Sequence, residues 1–214
     1  VYDNAMFIIA LDYLLEMAPD SPQASRWKSL REGIERNVRA HLWDVKRQKF
    51  IPHIYPEKSP IPEGFDELAI HYHGGTAIAI EAGLLSEDEI RTVNAQMLEN
   101  VRLSGMPSIG LTLYPVYPDG FFHGGMSKAY LYQNGGDWTW FGGRMIQQLV
   151  VNGMVEEAYT EIHPMIERVI QNNGFYEWYG KGGIPSGSGN FKGSAGVLSK
   201  AIELLRDWAE KNKS

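Results

Sequence analysis

The segment from Tyr132 to Arg144, with the sequence YQNGGDWTWFGGR, combines side chains that are typical of sugar-binding sites. Flat aromatic rings such as those of Trp138 and Trp140 can cover the apolar C–H face of a pyranose. Carboxylate, amide and guanidinium groups form forked hydrogen bonds with sugar hydroxyls. The segment supplies such groups on Gln133, Asn134, Asp137 and Arg144. The pattern predicts a carbohydrate site, with the alternative that single aromatic rings belong to the core of a helix start.

A second segment, NGFYEWYG, places Glu177 between Tyr176 and Trp178. Flanking aromatic rings can desolvate a carboxylate and hold it beside a sugar ring, as the acid or base of a glycosidase requires. We therefore interpret Glu177 as a candidate catalytic carboxylate and Trp178 as a further sugar platform. The alternative is an ordinary solvent-exposed loop glutamate.

Other acidic residues have competing structural explanations. Asp3 is the second candidate for a catalytic carboxylate, but it also fits as the N-cap of the first helix. Asp137 could either cap the helix that follows it or bind a sugar hydroxyl. The cluster Glu63, Asp66 and Glu67 is best explained as first-turn charges that a helix dipole favours.

The run His71-Tyr72-His73 raises the question of metal binding. Residues two apart on a helix do not face the same way, and no third ligand has supporting spacing. We therefore expect no metal and no cofactor. Contact between one of these histidines and a substrate is the better functional interpretation, and we assign that role to His73.

The composition indicates a globular domain and argues against several kinds of partner and site. The 214 residues are 43% hydrophobic and 21% charged, which is ordinary for one globular domain spanning 1–214. The net charge of −6 argues against nucleic-acid and anionic membrane partners. With no cysteine, disulfides and thiolate metal sites are excluded. We expect a soluble protein, and the sequence fits a cytoplasmic or a periplasmic or extracellular location equally well. Because an apolar helix pattern follows Val1 at once, we also expect a piece of a longer protein.

Apolar periodicity predicts seven helices and almost no strand. The helices are expected at about 3–17, 21–43, 66–82, 86–103, 138–151, 155–172 and 193–210, with a capping box at Ser86 and Glu89. Short glycine turns alternate with three long loops at 44–64, 105–136 and 175–191. This alternation is typical of a toroid of helical hairpins, in which the long loops gather at one rim and build the site.

Three segments of the sequence resemble motifs of the six-hairpin glycosidases. These (α/α)6-toroid enzymes include glucoamylases, trehalases, glucosidase-I-like enzymes and amylo-1,6-glucosidases. The segments are Tyr132–Trp138, Gly174–Glu177 and Phe191–Gly196. The resemblance implies an all-α fold of helical hairpins that form part of an (α/α)6 toroid. If the last helix is counted as the twelfth, the first helix here is the sixth, so the chain corresponds to the C-terminal half of such a domain.

The resemblance also implies a function: an inverting glycoside hydrolase that acts on an oligosaccharide or glycan. Glu177 would be the general base, and Asp3 or a residue of an upstream segment would be the general acid. A half-built inner ring would expose apolar flanks, so we expect self-association or association with a missing N-terminal half. The expected sugar contacts are Gln133, Asn134, Asp137, Trp138, Trp140, Arg144, Trp178 and His73.

Two other classes of protein stay open. One is a non-catalytic carbohydrate-binding or structural helical fragment. The other is an α/α-toroid epimerase or lyase, which would use His71, Tyr72 and His73 as acid and base groups. Geometry separates the classes, because a hydrolase needs Glu177 facing the Trp138 and Trp140 cluster across a cleft, whereas an epimerase needs His71 or His73 there instead.

Overall fold

A computed structural model describes residues 1–213 of the chain. Within these residues there are seven α-helices, as predicted, and the fold class is all-α. The helices are α1 (Tyr2–Met17), α2 (Ala24–Leu42), α3 (His73–Glu81), α4 (Glu87–Ser104), α5 (Thr139–Val151), α6 (Val155–Gln171) and α7 (Lys192–Lys211).

The helices alternate between two layers. α1 packs against α3, α3 against α5 and α5 against α7, so these four form an inner row. α2 packs on α1, α4 on α3, and α6 on both α5 and α7, which makes these three the outer layer. α3 lies deepest, because every residue from His73 to Ile80 is buried. A helix that is apolar on all sides is expected in such a position. The arrangement is the toroid-like array of hairpins that the turn pattern predicts.

Glycines let α5 approach its neighbours closely. A Cβ atom on Gly143 would lie 3.0 Å from a methyl group of Val197 on α7. A Cβ atom on Gly142 would lie 2.7 Å from the sulfur of Met165 on α6. Larger residues at these positions would push α5 away from both helices, so the centre of the array depends on them.

The connections between helices are of two kinds. Short turns at 18–23, 82–86 and 152–154 lead from an inner helix to its outer partner. Long connections at 43–72, 105–138 and 172–191 lead from an outer helix to the next inner helix. Each long connection therefore enters an inner helix at its N-terminus. The long loops and the N-termini of α1, α3, α5 and α7 share one rim, as predicted, and this rim carries the site described below.

Six strands of two residues each lie in the long connections, where almost no strand was predicted. They pair antiparallel, with Trp43 opposite Phe50, His71 opposite Tyr114, and Trp178 opposite Ser186. Two residues are too few to show the alternating pattern by which a strand is recognised. The pairs are β1 (Trp43–Asp44) with β2 (Lys49–Phe50), β3 (His71–Tyr72) with β4 (Leu113–Tyr114), and β5 (Trp178–Tyr179) with β6 (Pro185–Ser186).

The start of the third helix differs from the prediction. Glu67–Ala69 forms a 3-10 turn, β3 follows, and α3 begins only at His73 instead of near residue 66. Pairing with β4 holds Tyr72 in an extended conformation, with φ −87° and ψ 91°, so a tertiary contact overrides the helical pattern. The first helix also differs slightly: α1 begins at Tyr2, and Asp3 occupies its first turn instead of its N-cap position. The capping box of Ser86 and Glu89 is confirmed.

One hydrophobic cluster includes residues from all seven helices. A second, small cluster around Ile70, Leu113 and Tyr117 lies within the connections 43–72 and 105–138 and gives these two loops a core of their own. These two loops are therefore packed structures that can hold side chains in place. Across residues 1–213, no helix combines the length and the apolar character that crossing a bilayer requires.

Candidate functional site

Two adjoining cavities open at the rim where the inner helices begin. One has a volume of about 340 Å³ and is lined by Asp3; the other has a volume of about 440 Å³ and is lined by Glu177. We call them the Asp3 cavity and the Glu177 cavity. Tyr2, Gln133 and Phe141 line both, so the two cavities lie side by side, and we call the pair the rim cleft. Each of the two predicted catalytic carboxylates therefore lines one of these adjoining cavities.

All four inner helices contribute their first residues to the rim cleft. α1 supplies Tyr2 and Asp3, and the start of α3 supplies Gly74 and Gly75. The start of α5 supplies aromatic rings, and the residue before α7 supplies another. These rings belong to Trp138, Trp140, Phe141 and Phe191.

A backbone bridge between two loops sets the position of Glu177. Asp137 and Tyr179 exchange two backbone hydrogen bonds of 2.9 and 2.8 Å, which tie the start of α5 to the segment after α6. Glu177 precedes Tyr179 by two residues, so it enters the cavity that Trp138 and Trp140 also line. The structure thus places Glu177 against the aromatic cluster, as a hydrolase requires.

The carboxylate of Glu177 also has local support from the following turn. Its backbone N–H donates to the carbonyl of Ser188 at 2.9 Å, and its Oε2 accepts from the backbone N–H of Ser188 at 3.4 Å. Gly187 has a φ of +69°, and a Cβ atom there would lie 2.8 Å from the Cβ atom of Glu177. Only glycine fits both the backbone conformation and the space. Within residues 1–213, neither Glu177 nor Asp3 forms a salt bridge.

Gln133 lies at the junction of the two cavities, and its neighbour Asn134 holds it there. Asn134 is fully buried. Its Oδ1 accepts from the backbone N–H of Tyr117 at 2.9 Å, and its Nδ2 donates to the carbonyls of Tyr117 at 3.1 Å and Lys128 at 3.3 Å. The prediction that Asn134 binds a sugar hydroxyl needs correction, because all of its polar atoms are used to anchor the loop. Gln133 is exposed and is free to face a ligand.

Asp137 is a structural carboxylate, which also corrects a prediction. It is fully buried and forms an ion pair with Arg168 at 2.8 Å. It accepts hydrogen bonds from the backbone N–H of Ser108 at 2.7 Å and from its hydroxyl at 2.8 Å. Arg168 also donates to the hydroxyl of Thr139 at 2.6 Å and lies 4.0 Å over the ring of Tyr179. Asp137 therefore joins three segments behind the cleft and does not reach a ligand.

Replacing Asp137 with asparagine is expected to destabilise the fold strongly. The change leaves the guanidinium of Arg168 buried without its counter-charge, which typically costs about 3–5 kcal/mol. The free energy of unfolding, measured in denaturant, reports the loss. Asp207→Asn is the matched control, because its pair with Arg206 is exposed and should contribute little. Equal effects of the two substitutions would contradict the structural role of Asp137.

The predicted aromatic platforms differ in how much of each ring the cleft can use. Trp138 is only 5% exposed, and its Nε1 donates to the carbonyl of Tyr132 at 3.1 Å, so it forms part of the cavity wall. Trp140 is partly buried, lines the Glu177 cavity and has the guanidinium of Arg144 4.5 Å from its ring. Arg144 pairs with Glu81 and supports Trp140 from behind. Neither Arg144 nor Trp178 lines either cavity of the rim cleft.

Neither His71 on β3 nor His73 at the start of α3 lines the rim cleft, so the assignment of His73 to substrate binding is wrong. His73 is 2% exposed, and Asn100 donates to its Nε2 at 3.0 Å. Burial, together with the nearby His71, lowers the pKa of His73 to about 3. His71 lines a separate cleft beside Lys49 and Gln96. Neither His71 nor His73 therefore lies where the epimerase interpretation requires it, although His53 and Tyr72 line the Asp3 cavity.

The buried His73 predicts a loss of stability in mild acid. In the unfolded chain, His73 takes up a proton near the ordinary pKa of 6.5. In the folded chain its pKa is about 3, so it stays neutral until a much lower pH. Stability is therefore present above pH 6.5 and falls as the pH drops through this interval, by up to about 1.4 kcal/mol per pH unit. Unfolding free energies between pH 7 and 4 should show a shallower slope for His73→Gln than for the exposed control His41→Gln. Identical slopes would contradict this account.

Several cleft residues were not predicted from the sequence to contact a sugar. They are Tyr2, His53, Tyr72, Tyr132, Phe141 and Phe191. Tyr2, Phe141 and Phe191 could have been found, because each lies beside or within a segment already singled out. His53 could not, because it lies in a proline-rich loop without a periodic pattern.

Within residues 1–213, no group of three or more His, Asp or Glu side chains is arranged to hold a metal ion.

Comparison with known proteins gives a fold match without a sequence match. No family model matches the sequence, and no curated protein matches it. The structure of GH63 mannosylglycerate hydrolase from Thermus thermophilus in complex with glucose matches with a TM-score of 0.65 and 17% identity. The match covers 95% of this chain and 44% of the hydrolase. An uncharacterized conserved protein from Thermus thermophilus matches with a TM-score of 0.65 and 17% identity, over 95% of this chain and 45% of that one.

These matches show a shared fold. The same hydrolase in complex with Tris matches with a TM-score of 0.58 and 16% identity, again over 95% of this chain and 44% of that one. The chain thus spans less than half the length of the solved structures that it matches. What it shares with these structures is its all-α, toroid-like array of hairpins. Activity and substrate do not follow from a likeness at this level of identity.

Proposed function

We propose that this chain carries the catalytic carboxylates of an inverting glycoside hydrolase that acts on an oligosaccharide or glycan. The observation that supports the proposal best is the rim cleft itself. Asp3 from the first turn of α1 and Glu177 from the 172–191 loop line two adjoining cavities, and Tyr2, Gln133 and Phe141 line both of them. The fold shared with a GH63 hydrolase agrees with this proposal.

The proposed reaction uses the two carboxylates on opposite sides of the sugar. The sugar ring lies at the junction of the cavities, against Tyr2 and Phe141. Glu177 takes a proton from a water molecule, which attacks the anomeric carbon from the Glu177 cavity. Asp3 gives its proton to the glycosidic oxygen as that bond breaks, and the leaving group departs through the Asp3 cavity. The attack inverts the anomeric configuration, and both carboxylates return to their starting states by exchange with solvent.

The walls of the cleft suit this use. Trp138, Trp140 and Phe191 give the Glu177 cavity an aromatic lining that can hold the C–H face of a sugar and exclude bulk water. Gln133, at the junction, offers both a donor and an acceptor to a ring hydroxyl. A binding protein without catalysis could share the aromatic walls, but it would not need carboxylates at both ends of the cleft.

The anomer that is released first tests the proposal. We expect the full-length protein that contains this chain to hydrolyse at least one of a panel of α- and β-linked glucosides and mannosides. Proton NMR during the first minutes should show the product in the configuration opposite to that of the substrate. A product that retains the configuration would overturn the inverting mechanism, and the absence of any turnover would favour the binding protein.

We further propose that the isolated chain self-associates, and that in a longer protein additional helices cover the same surface. An apolar groove of about 630 Å³ runs between α6 and α7, and its rim includes Tyr159 at 61% and Trp208 at 45% exposure. Such surfaces favour association. Sedimentation at increasing concentration should show a mass above 24.1 kDa. The proposal would be contradicted if the native chain kept the monomer mass at every concentration and a Tyr159→Ser, Trp208→Ser double variant gave the same result.

A further inference from the structure

A cluster of hydrogen bonds fixes one histidine at the wall of the Asp3 cavity. His53 lines this cavity together with Asp3 and Tyr72. Its Nδ1 lies 2.7 Å from Oε1 of Glu67. The same oxygen accepts from the hydroxyls of Tyr55 at 2.8 Å and Tyr117 at 2.6 Å. One carboxylate oxygen thus gathers three donors behind the cavity wall.

One member of the cluster, Tyr117, is held by packing. Tyr117 is fully buried in the small core of the long connections, with its ring stacked 4.8 Å from Phe121. Its hydroxyl also accepts from that of Tyr72 at 3.3 Å. Burial raises the pKa of Glu67, but the hydrogen bonds from Tyr117, His53 and Tyr55 outweigh burial and leave it lowered. Glu67 is therefore an ionised acceptor, and burial and its hydrogen bond keep the pKa of Tyr117 raised, so that the phenol stays a donor.

This arrangement defines the chemistry of the His53 ring. A carboxylate accepts only, so Nδ1 of His53 must carry the hydrogen that it shares with Glu67. Within residues 1–213, Nε2 of His53 has no hydrogen-bond partner, and the side chain is 41% exposed. Nε2 is thus the ring nitrogen that remains for a ligand. When a carboxylate accepts from one ring nitrogen of a histidine, it fixes the tautomer and the orientation of the ring, and the other ring nitrogen is then positioned to contact a ligand.

The charge of the cleft limits what this contact can be. The residues that line the Asp3 and Glu177 cavities include no lysine and no arginine, while Asp3 and Glu177 themselves are acidic. A carboxylate or phosphate on the leaving group would meet the like charge of Asp3 and Glu177 without a lysine or arginine to pair with, which is unfavourable. A hydroxyl group suits Nε2 of His53 and the exposed amide of Gln133 together, since these offer both donors and acceptors.

We propose that His53, held by Glu67, binds a hydroxyl of the leaving group in the Asp3 cavity, and that it selects neutral sugar or polyol leaving groups over anionic ones. The inference rests on the proposed function, because only the role of Asp3 as the acid makes this cavity the leaving-group side. Asp3 and Glu177 perform the reaction, His53 contacts the leaving group, and Glu67 is a positioning residue that acts through His53.

The test compares leaving groups on one sugar. The full-length protein is assayed with the glycerol glycoside, the glycerate glycoside and the glycosyl fluoride of the same sugar and anomer, for both glucose and mannose. We expect kcat/KM for the glycerol glycoside to exceed that for the glycerate glycoside by about 10-fold or more. A loss of this size corresponds to one missing hydrogen bond to a charged or fixed group. Binding of both glycosides to the inactive Glu177→Gln variant, measured by calorimetry, should show the same preference.

Substitutions then assign the preference to the two residues. His53→Ala should lower the ratio of kcat/KM for the glycerol glycoside to that for the fluoride by about 10- to 100-fold. Glu67→Gln should lower the same ratio less, and it should have no further effect once His53 is alanine, because Glu67 acts only through His53. Glu63→Gln, an exposed glutamate nearby in the same connection, is the matched control and should leave the ratio unchanged.

Three outcomes would overturn the inference. One is a preference for the glycerate glycoside in turnover or in binding, and another is an unchanged ratio in His53→Ala. The third is an additive effect of Glu67→Gln in the His53→Ala background, which would make the role of Glu67 merely structural. If the proposed function itself is wrong, the result is different. Glu177→Gln would then keep full turnover, whatever the ratio of kcat/KM between the glycerol glycoside and the fluoride.

Discussion

Glu177→Gln is expected to lower kcat by about 10²–10⁴-fold and to leave sugar binding nearly unchanged. Glutamine keeps the size of the side chain and can still accept from the backbone N–H of Ser188, which lies 3.4 Å from Oε2 in the native protein. It cannot take a proton from water. The aromatic wall formed by Trp138 and Trp140 is untouched, so the dissociation constant of a bound sugar should change little.

The measurement needs kcat and binding on the same protein. Turnover of the best glycoside gives the first, and calorimetry with the product sugar gives the second. Glu63→Gln serves as the matched control, since this glutamate is exposed and does not line the rim cleft. Near-normal turnover in Glu177→Gln would rule out Glu177 as the base.

Asp3→Asn is the second substitution with a large expected effect, and its signature is selective. An asparagine cannot protonate the glycosidic oxygen, so kcat/KM for a glycoside with a poor leaving group should fall by about 10²–10⁴-fold. Hydrolysis of the corresponding glycosyl fluoride should suffer much less, because fluoride leaves without prior protonation. The difference between the two losses is what identifies an acid.

Asp20→Asn is a suitable control for this experiment, because Asp20 is exposed in the turn after α1 and does not line the cleft. Equal losses of Asp3→Asn on both substrates would point to a defect in binding or folding instead of acid catalysis. A small loss on both would require a different acid in the full-length protein.

Much of the fold could be predicted from the sequence, because long helices repeat their apolar positions many times. The seven helices and the gathering of long loops at one rim follow from that repetition and from the glycine turns. The paired two-residue strands could not be predicted. β3, opposite Leu113 and Tyr114, is set by partners some forty residues away in the sequence, and it shortens α3 from its N-terminal side.

The sequence could predict which segments meet at the rim cleft, but not which of their side chains face it. Glu177 and the Trp138 segment lie together because a backbone bridge joins them. The sequence pattern could not distinguish Gln133, which faces the cleft, from Asn134 and Asp137, which face inward and hold loops. All three are polar residues in one glycine-rich turn, and only the packing behind them decides which one is exposed.

The alternation of inner and outer helices has a consequence for how the protein responds to heat. Within this chain, α3 and α5 have an inner neighbour on both sides, whereas α1 and α7 have one on a single side only. In linear arrays of this kind, elements at the ends open more easily than those at the centre. The cleft draws Asp3 from one end and Phe191 from the other, so it depends on both of the weaker ends at once. Ligand binding should therefore disappear on warming before the circular dichroism of the central helices changes, and loss of both at one temperature would contradict this view.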